Sequence, residues 1–136
     1  MALTRRRFAP LAFVASCLLT PAQAAGTTLP QAMARARALR DEAQRSGDQA
    51  YGAVVLRGDA IVGESPSRVV VNGDPTAHAE MEAIRDAARR LGTRDLSGCV
   101  LVSTSRPCRM CEAAAGWARI ERMVNGDALT DAGRPQ

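Results

Sequence analysis

The stretch DPTAHAE at residues 74–80, together with PCRMC at residues 107–111, decides the fold of this 136-residue chain. It supplies one histidine, His78, and two cysteines, Cys108 and Cys111, as candidate metal ligands. Imidazole and thiolate suit tetrahedral zinc, and three protein ligands leave the fourth position open for water, as in catalytic sites. Each motif alone is weak, because a Cys-x-x-Cys pair is also found in disulfides, redox pairs and zinc ribbons. Together, the two motifs predict a catalytic zinc site.

Glu80 is the predicted catalytic residue, because it follows the histidine by two positions. Zinc lowers the pKa of a bound water from about 16 to roughly 7, so a nucleophile exists at neutral pH. A carboxylate beside it can accept a proton and pass it to the substrate and then to the leaving group. The alternatives are an ordinary surface acid for Glu80, a structural histidine for His78, and a disulfide between Cys108 and Cys111.

The sequence around the histidine predicts a helix over Ala77–Leu91, which is rich in good helix formers. The apolar positions that recur at helical spacing are Met81, Ile84, Ala88 and Leu91. Asp74 and Thr76 are candidate N-caps, and Pro75 suits a position at or just before the first turn. His78 is therefore expected near the helix N-terminus.

The cysteine motif repeats this arrangement. Gly98–Thr104 is predicted as a buried strand in which Cys99 is a buried thiol, and Ser105–Pro107 as a turn that leads into a second helix. Cys108 and Cys111 are three positions apart and so share one face of that helix. The positive ends of the two helix dipoles favour the thiolate form. The predicted metal site is thus assembled from two helix N-termini.

The rest of the pattern predicts one layered α/β domain over residues 25–136. Gln31–Arg45 is a predicted helix, and its inward positions are Met33, Ala36, Leu39 and Ala43. Its arginines at 35, 37 and 40 are expected on the solvated face. The predicted strands are a hairpin of Tyr51–Leu56 with Ile61–Gly63, and a last strand over Arg122–Val124. About 112 residues suit a single hydrophobic core.

Several stretches resemble the cytidine deaminase-like superfamily, most closely its bacterial guanine deaminase and tRNA adenosine deaminase branch. These stretches are Tyr51–Val55, the HAE and PCxxC motifs within DPTAHAEMEAIRDA and PCRMC, LGTRDLSGCVLVST, and Trp117–Ile120. The resemblance implies a three-layer α-β-α fold with a central mixed sheet. It also implies zinc held by His78, Cys108 and Cys111, with Glu80 transferring protons.

The same resemblance implies a function. We expect a zinc-dependent hydrolytic deaminase of a nucleobase or nucleoside, with a purine such as guanine first, that releases ammonia and forms a homodimer. The alternatives left open are a deaminase of cytosine, cytidine or another aminated heterocycle, and a non-catalytic exported zinc-binding module.

Three features depart from the family pattern. Ser67 stands where relatives usually carry an Asn that hydrogen-bonds the base, and Arg106 stands where they usually carry Glu. A hydroxyl is shorter than an amide and cannot offer a paired donor and acceptor. The chain ends about ten residues after Gly126, which predicts a shortened C-terminus. The candidate substrate contacts are Ser67, Ala79, Arg106 and Trp117.

Residues 1–24 have the pattern of an export signal. Three arginines at 5–7 precede an apolar run at 8–19 and an Ala-Gln-Ala cleavage site. The run is shorter than the roughly 20 apolar residues of a membrane span, so we expect no stable span after signal removal. Thr4–Phe8 resembles the twin-arginine pattern of exported folded proteins. These features predict a periplasmic protein, with lipid anchoring through Cys17 as an alternative.

The charge pattern argues against nucleic acid as a partner. The whole chain has a formal net charge of +4, but three of its arginines belong to the predicted signal. The remainder has 15 basic and 14 acidic residues, which leaves a net charge near +1. Its only aromatic residues are Tyr51 and Trp117, too few for the stacking platform of a single-strand binder. A small-molecule base or nucleoside is the expected partner.

Overall fold

The computed structural model describes residues 26–136, and the predicted export signal with Cys17 lies outside them. The helices are α1 (Leu29–Arg45), α2 (Val69–Asn72), α3 (Ala79–Leu91) and α4 (Arg109–Trp117). The strands are β1 (Gly52–Arg57), β2 (Ala60–Pro66), β3 (Cys99–Ser103), β4 (Arg122–Asn125) and β5 (Thr130–Gly133). Within this described part, no helix has both the length and the apolar character needed to span a membrane.

The five strands form one mixed sheet in the order β2-β1-β3-β4-β5. Strand β1 pairs antiparallel with both β2 and β3, and Ala53 lies opposite Ser103. Strands β3 and β4 are parallel, so the chain crosses between them through α4. Strand β5 returns antiparallel beside β4. The start of β1 therefore lies next to the end of β3, from which the chain enters the cysteine motif.

Helices cover both faces of the sheet. Successive side chains of β1 point to opposite sides, so each face offers apolar side chains to the helix packed on it. Val54 and Leu56 pack with buried residues of α1, which are Ala32, Met33, Ala36 and Leu39. Ala53 and Val55 pack on the other face with buried residues of α3 and α4, which include Ala83, Ile84, Ala87 and Ala115. This arrangement confirms the predicted three-layer α-β-α fold.

Two glycines let helices lie unusually close to the sheet. A Cβ atom on Gly52 would be 2.1 Å from the carbonyl oxygen of Ala36 in α1. A Cβ atom on Gly63 would be 2.6 Å from Cβ of Ala87 in α3. Both separations are shorter than van der Waals contact, so only glycine fits at these positions. The Gly63 contact also explains why α3 buries small alanines there.

The buried face of α3 therefore differs from the predicted one. Its buried residues are Ala79, Glu80, Ala83, Ile84 and Ala87. Met81 and Ala88, which the periodicity places inward, are only half-buried. Close approach to the sheet selects the narrow alanine side of the helix over the side that carries the longer methionine.

The start of α3 also differs from the prediction, by two residues. The helix begins at Ala79 with His78 as its N-cap, rather than at Ala77 with a cap from Asp74 or Thr76. Oδ1 of Asp74 instead accepts hydrogen bonds from the backbone N–H and the hydroxyl of Thr76, both at 2.8 Å. This local turn uses the carboxylate before the helix starts.

The sequence pattern predicts neither α2 nor β5. The three valines of α2 favour strand over helix, but this single turn ends at Gly73 in the left-handed conformation, with φ 59°. Its backbone N–H groups at Val70 and Val71 donate to one carboxylate, that of Asp48. Strand β5 adds a sheet edge after Gly126 that the predicted shortened C-terminus omits.

Candidate metal centre and active site

The N-terminus of α3 positions the histidine and the carboxylate. His78 has an extended backbone, with φ −60° and ψ 152°, and its carbonyl oxygen accepts from the N–H of Glu82 at 2.9 Å. Its side chain makes no capping hydrogen bond, which leaves the imidazole available to a metal. Glu80 follows in the first helical turn and is only 5% exposed.

The N-terminus of α4 positions the two cysteines in the same way. Cys108 is the N-cap, with φ −72° and ψ 170°, and its side chain also makes no capping hydrogen bond. Its carbonyl oxygen accepts from the N–H of Glu112 at 2.8 Å, which starts the helix. Cys108 is exposed, whereas Cys111 is buried one turn later. Each helix therefore presents its N-cap side chain to the metal site instead of to its own backbone.

The three ligand atoms form a triangle that fits tetrahedral zinc. The Sγ atoms of Cys108 and Cys111 are 3.7 Å apart, and they lie 3.7 and 3.6 Å from Nδ1 of His78. Zinc bonds of about 2.3 Å to sulfur and about 2.0 Å to nitrogen imply separations of about 3.8 Å between sulfurs and about 3.5 Å between sulfur and nitrogen. A disulfide would need about 2.05 Å, and both cysteines are free thiols. The donor set and its spacing suit zinc.

Glu80 lies beside this triangle, with Oε2 3.8 Å from Sγ of Cys111. Burial raises the pKa of the Glu80 carboxyl, while its own backbone N–H and the charge of His78 act in the opposite direction. Burial likewise raises the pKa of the Cys111 thiol, and the negative charge of Glu80 adds to that effect. A buried carboxyl with a raised pKa is suited to accepting and releasing a proton.

Two of the ligands, His78 and Cys108, line a cavity of about 550 Å³, a volume within the range of small-molecule sites. Its lining residues are Gln49, Tyr51, His78, Glu80, Ser105, Arg106 and Cys108. In the described part of the chain, two further cavities of about 340 and 270 Å³ lie elsewhere, and none of the three candidate ligands lines them. The cavity that His78, Cys108 and Glu80 line is therefore the candidate active site.

Of the four predicted substrate contacts, Arg106 lines this cavity and the other three do not. Ala79 is buried in α3, with 1% exposure, and Trp117 is 86% exposed at the end of α4. Ser67 is 2% exposed, and its hydroxyl donates to Oδ1 of Asp48 at 2.8 Å. The Ser67 hydroxyl is thus directed at a buried carboxylate and not into this cavity, and a contact between Ser67 and the substrate stays a prediction.

Asp48 is the residue that orders the backbone around Ser67. Burial acts to raise the pKa of its carboxyl, but hydrogen bonds from Val71, Ser67, Gln49 and Val70 together hold that pKa below its usual value. The donor distances range from 2.7 to 2.9 Å. One carboxylate thus ties the segment before β1 to the segment that enters α2.

Sequence reasoning missed Gln49, Tyr51 and Ser105 as lining residues. Gln49 and Tyr51 precede β1, and Ser105 follows β3. The antiparallel register brings these two chain ends together, with the N–H of Thr104 donating to the carbonyl oxygen of Gly52 at 3.0 Å. The available signal was the prediction that β1 begins near residue 51 and β3 ends near residue 104.

Comparison with known protein families matches residues 27–127 to the model described as the cytidine and deoxycytidylate deaminase zinc-binding region. The chain belongs to this deaminase family. The match includes the whole ligand triangle and Glu80. Zinc is accordingly the metal that His78, Cys108 and Cys111 are suited to hold.

Three curated relatives are similar to parts of this chain. Guanine deaminase of Bacillus subtilis is 42% identical over 82 residues, which are 60% of this chain and 53% of the relative. The tRNA-specific adenosine deaminase of Aquifex aeolicus is 43% identical over 86 residues, covering 61% and 57%. The tRNA(Ile)-lysidine synthase of Deinococcus radiodurans is 46% identical over 106 residues, covering 77% of this chain and 18% of that protein. This chain thus covers little more than half the length of the first two relatives and 18% of the length of the third.

Solved structures of family members have the same fold. The crystal structure of the Bacillus subtilis guanine deaminase superposes with a TM-score of 0.67 at 38% identity, covering 70% of this chain and 61% of that one. The crystal structure of a mutant of NE0047 in complex with 8-azaguanine superposes with a TM-score of 0.69 at 27% identity. The match covers 73% of this chain and 58% of that one. Both comparisons agree with the mixed sheet and flanking helices described above.

Proposed function

We propose that this deaminase-family chain hydrolyses the exocyclic amine of a purine-like base, with guanine as the first candidate, to give a carbonyl and ammonia. The observation that carries the proposal is the position of Glu80. Its carboxylate lies 3.8 Å from a sulfur of the ligand triangle and lines the same cavity as His78 and Cys108. A purely structural zinc site would have no use for a buried carboxylate at this position, which argues against the non-catalytic alternative.

Glu80 relays two protons in this reaction. A zinc ion in the site supplies activation of water at neutral pH. The Glu80 carboxylate accepts a proton from the attacking water and delivers it to the ring nitrogen next to the amine-bearing carbon. It then takes the second proton from the added hydroxyl and passes it to the amine as the C–N bond breaks. Water and the amine are consumed, and the carbonyl and ammonia are formed in equal amounts.

Ammonia release by the zinc-loaded chain tests this proposal. The panel comprises guanine, adenine, cytosine, their nucleosides and related aminated heterocycles. We expect Glu80→Gln to retain zinc and lose activity by at least about 100-fold, as general acid–base catalysis contributes 10²–10⁴-fold. Glu121→Gln, on an exposed glutamate outside the cavity, is the matched control. Equal turnover in the parent and Glu80→Gln would rule out the mechanism.

A second candidate substrate is an aminated heterocycle that carries a phosphate or carboxylate group. Arg106 favours it, because its exposed guanidinium lines the cavity and forms no ion pair within residues 26–136. Guanidinium groups bind such anions through two parallel hydrogen bonds. Arg106→Gln should lower turnover of a nucleoside monophosphate more than turnover of the corresponding free base. Equal losses for both would remove this candidate.

We also propose that the chain is exported to the periplasm and acts there as a homodimer. Support for export comes from the arginine, apolar and cleavage segments of residues 1–24. Support for self-association comes from the resemblance and from two exposed apolar side chains on α2, Val70 at 60% and Val71 at 53% exposure. Lipid anchoring through Cys17 remains the alternative form of the exported protein.

A further inference from the structure

We infer that Gln49 is the specificity-determining residue of this cavity, and that its carboxamide forms hydrogen bonds to the ring edge of the bound heterocycle. The inference rests on the proposed function and deepens it. It concerns a residue that the motifs do not contain. Three observations carry it: the chemistry of the lining residues, the fixed backbone of Gln49, and its free side chain.

Among the lining residues, Gln49 has the side-chain chemistry best suited to hydrogen-bond a ring edge. His78 and Cys108 are metal ligands, and Glu80 is engaged in proton transfer. Arg106 can only donate hydrogen bonds, while Tyr51 and Ser105 each carry a single hydroxyl. A carboxamide has a donor and an acceptor side by side in one plane, and it can pair with a ring nitrogen and a neighbouring exocyclic group at once. Among the lining side chains only Gln49 has this pair.

The backbone of Gln49 is held in place on both sides. Its N–H donates to Oδ1 of Asp48 at 2.7 Å, and its carbonyl oxygen accepts from the N–H of Tyr51 at 2.7 Å. Asp48 is itself fixed by Ser67 and by two backbone N–H groups of α2. A side chain on an ordered backbone loses less conformational entropy when it binds a ligand.

The carboxamide itself is free for a ligand. Gln49 is exposed, and its side chain has no hydrogen-bond partner in the described residues 26–136, although its backbone N–H has one. Ser67 cannot take over the role, because its hydroxyl is buried and donates to Asp48. The backbone of Gln49 is therefore fixed while its amide points to no protein group.

Binding of 8-azaguanine to the zinc-loaded full chain tests the inference, with Glu80→Gln in every variant to prevent turnover. We expect Gln49→Leu, which has similar size but no amide, to weaken binding roughly 10- to 100-fold, the range of a two-point hydrogen-bonded contact. The matched control is Gln44→Leu, on an exposed glutamine of α1. Zinc content is measured in each variant and should remain at one ion per chain.

Turnover with Glu80 restored gives a second readout. We expect Gln49→Leu to lower kcat/KM mainly through KM and to reduce the preference between guanine and a purine that lacks one ring-edge group. An unchanged Kd and an unchanged preference in Gln49→Leu would overturn the inference while leaving the proposed function intact. A parent chain that binds zinc but neither binds nor deaminates any base of the panel would overturn both.

Discussion

Arg35 on α1 and Glu64 on β2 form a two-point ion pair, with Nε 2.9 Å from Oε2 and a terminal nitrogen 2.7 Å from Oε1. The pair joins the first helix to the edge strand of the sheet. The sequence pattern places Arg35 on a solvated helix face, but the guanidinium has this partner 29 residues later in the chain.

The Arg35–Glu64 pair should make a measurable, pH-dependent contribution to stability. The Arg35 guanidinium is the main cause that lowers the pKa of the Glu64 carboxyl. The stabilisation by this ion pair is therefore complete above the unfolded-state pKa of Glu64, about 4.3. It is lost as the pH falls through the folded-state pKa of Glu64. A double-mutant cycle of Arg35→Gln and Glu64→Gln, by urea unfolding at pH 7, should give a coupling of about 0.5 to 1 kcal/mol. A coupling that persists at pH 2 would contradict this origin.

Replacing Gly63 should destabilise the protein and disturb the active site. In Gly63→Ala the added Cβ pushes α3 away from β2, and α3 carries Glu80. We expect a loss of about 1 to 3 kcal/mol in the free energy of unfolding, as for other overpacked cores. Gly116→Ala is the matched control, because a Cβ there meets its first neighbour at 3.6 Å in a helix. Alanine should stabilise that helix by up to about 1 kcal/mol. Similar stabilities for the two variants would show that the close packing is not required.

Zinc binding should require Cys111 and should weaken at low pH. Cysteine and histidine must lose their protons to bind a metal, so affinity is expected to fall as the pH is lowered from 8 to 6. Cys111→Ser should lose most bound zinc, while Cys99→Ala, on a buried thiol of β3, should retain one ion per chain. Metal analysis after dialysis measures both. A chelator should also lower the Tm of the parent but not that of Cys111→Ser.

Export should depend on two particular arginines. The pattern Thr4–Phe8 predicts that the pair Arg5→Lys and Arg6→Lys retains the protein in the cytoplasm, whereas Arg7→Lys, at the variable position, is exported. Fractionation of cells that express the full chain measures this. Labelling with a fatty acid, compared with Cys17→Ala, distinguishes a lipid-anchored product. Export of the double variant at the parental level would exclude the twin-arginine route.

Self-association should depend on the exposed valines of α2. We expect sedimentation of the zinc-loaded chain to give twice the chain mass, and Val71→Asp to give a monomer, because a charge is costly inside an apolar interface. Gln44→Glu adds a negative charge to the exposed face of α1 and should remain dimeric. A monomeric parent at micromolar concentration would count against the dimer.

The metal site could be predicted from the sequence because its determinants are local. His78 and Cys108 each stand at a helix start, and the helix formers that follow are sufficient to indicate this. The ligand spacing then required only that the two helix N-termini meet, which the motif combination implies. The exact cap was harder to predict, since Asp74 could cap the helix or close its own turn, and it does the latter.

The walls of the cavity could not be predicted in the same way. Gln49 and Ser105 come together only through the register of β1 with β3, which couples residues about fifty positions apart. The family resemblance predicts that Ser67 contacts the substrate, yet the Ser67 hydroxyl is directed at Asp48, 19 residues earlier. Neither relationship leaves a periodic or local signal in the sequence.

The hydrogen bond between Ser67 and Asp48 also constrains how these two positions can change by mutation. A larger residue at position 67 meets closely packed surroundings, because Ser67 is only 2% exposed. Loss of the Asp48 carboxylate alone leaves a buried hydroxyl and three backbone N–H groups without their acceptor. Either single substitution therefore passes through a less stable intermediate, and the two effects are not additive. Mutational paths that change this buried contact have to exchange the two residues as a pair.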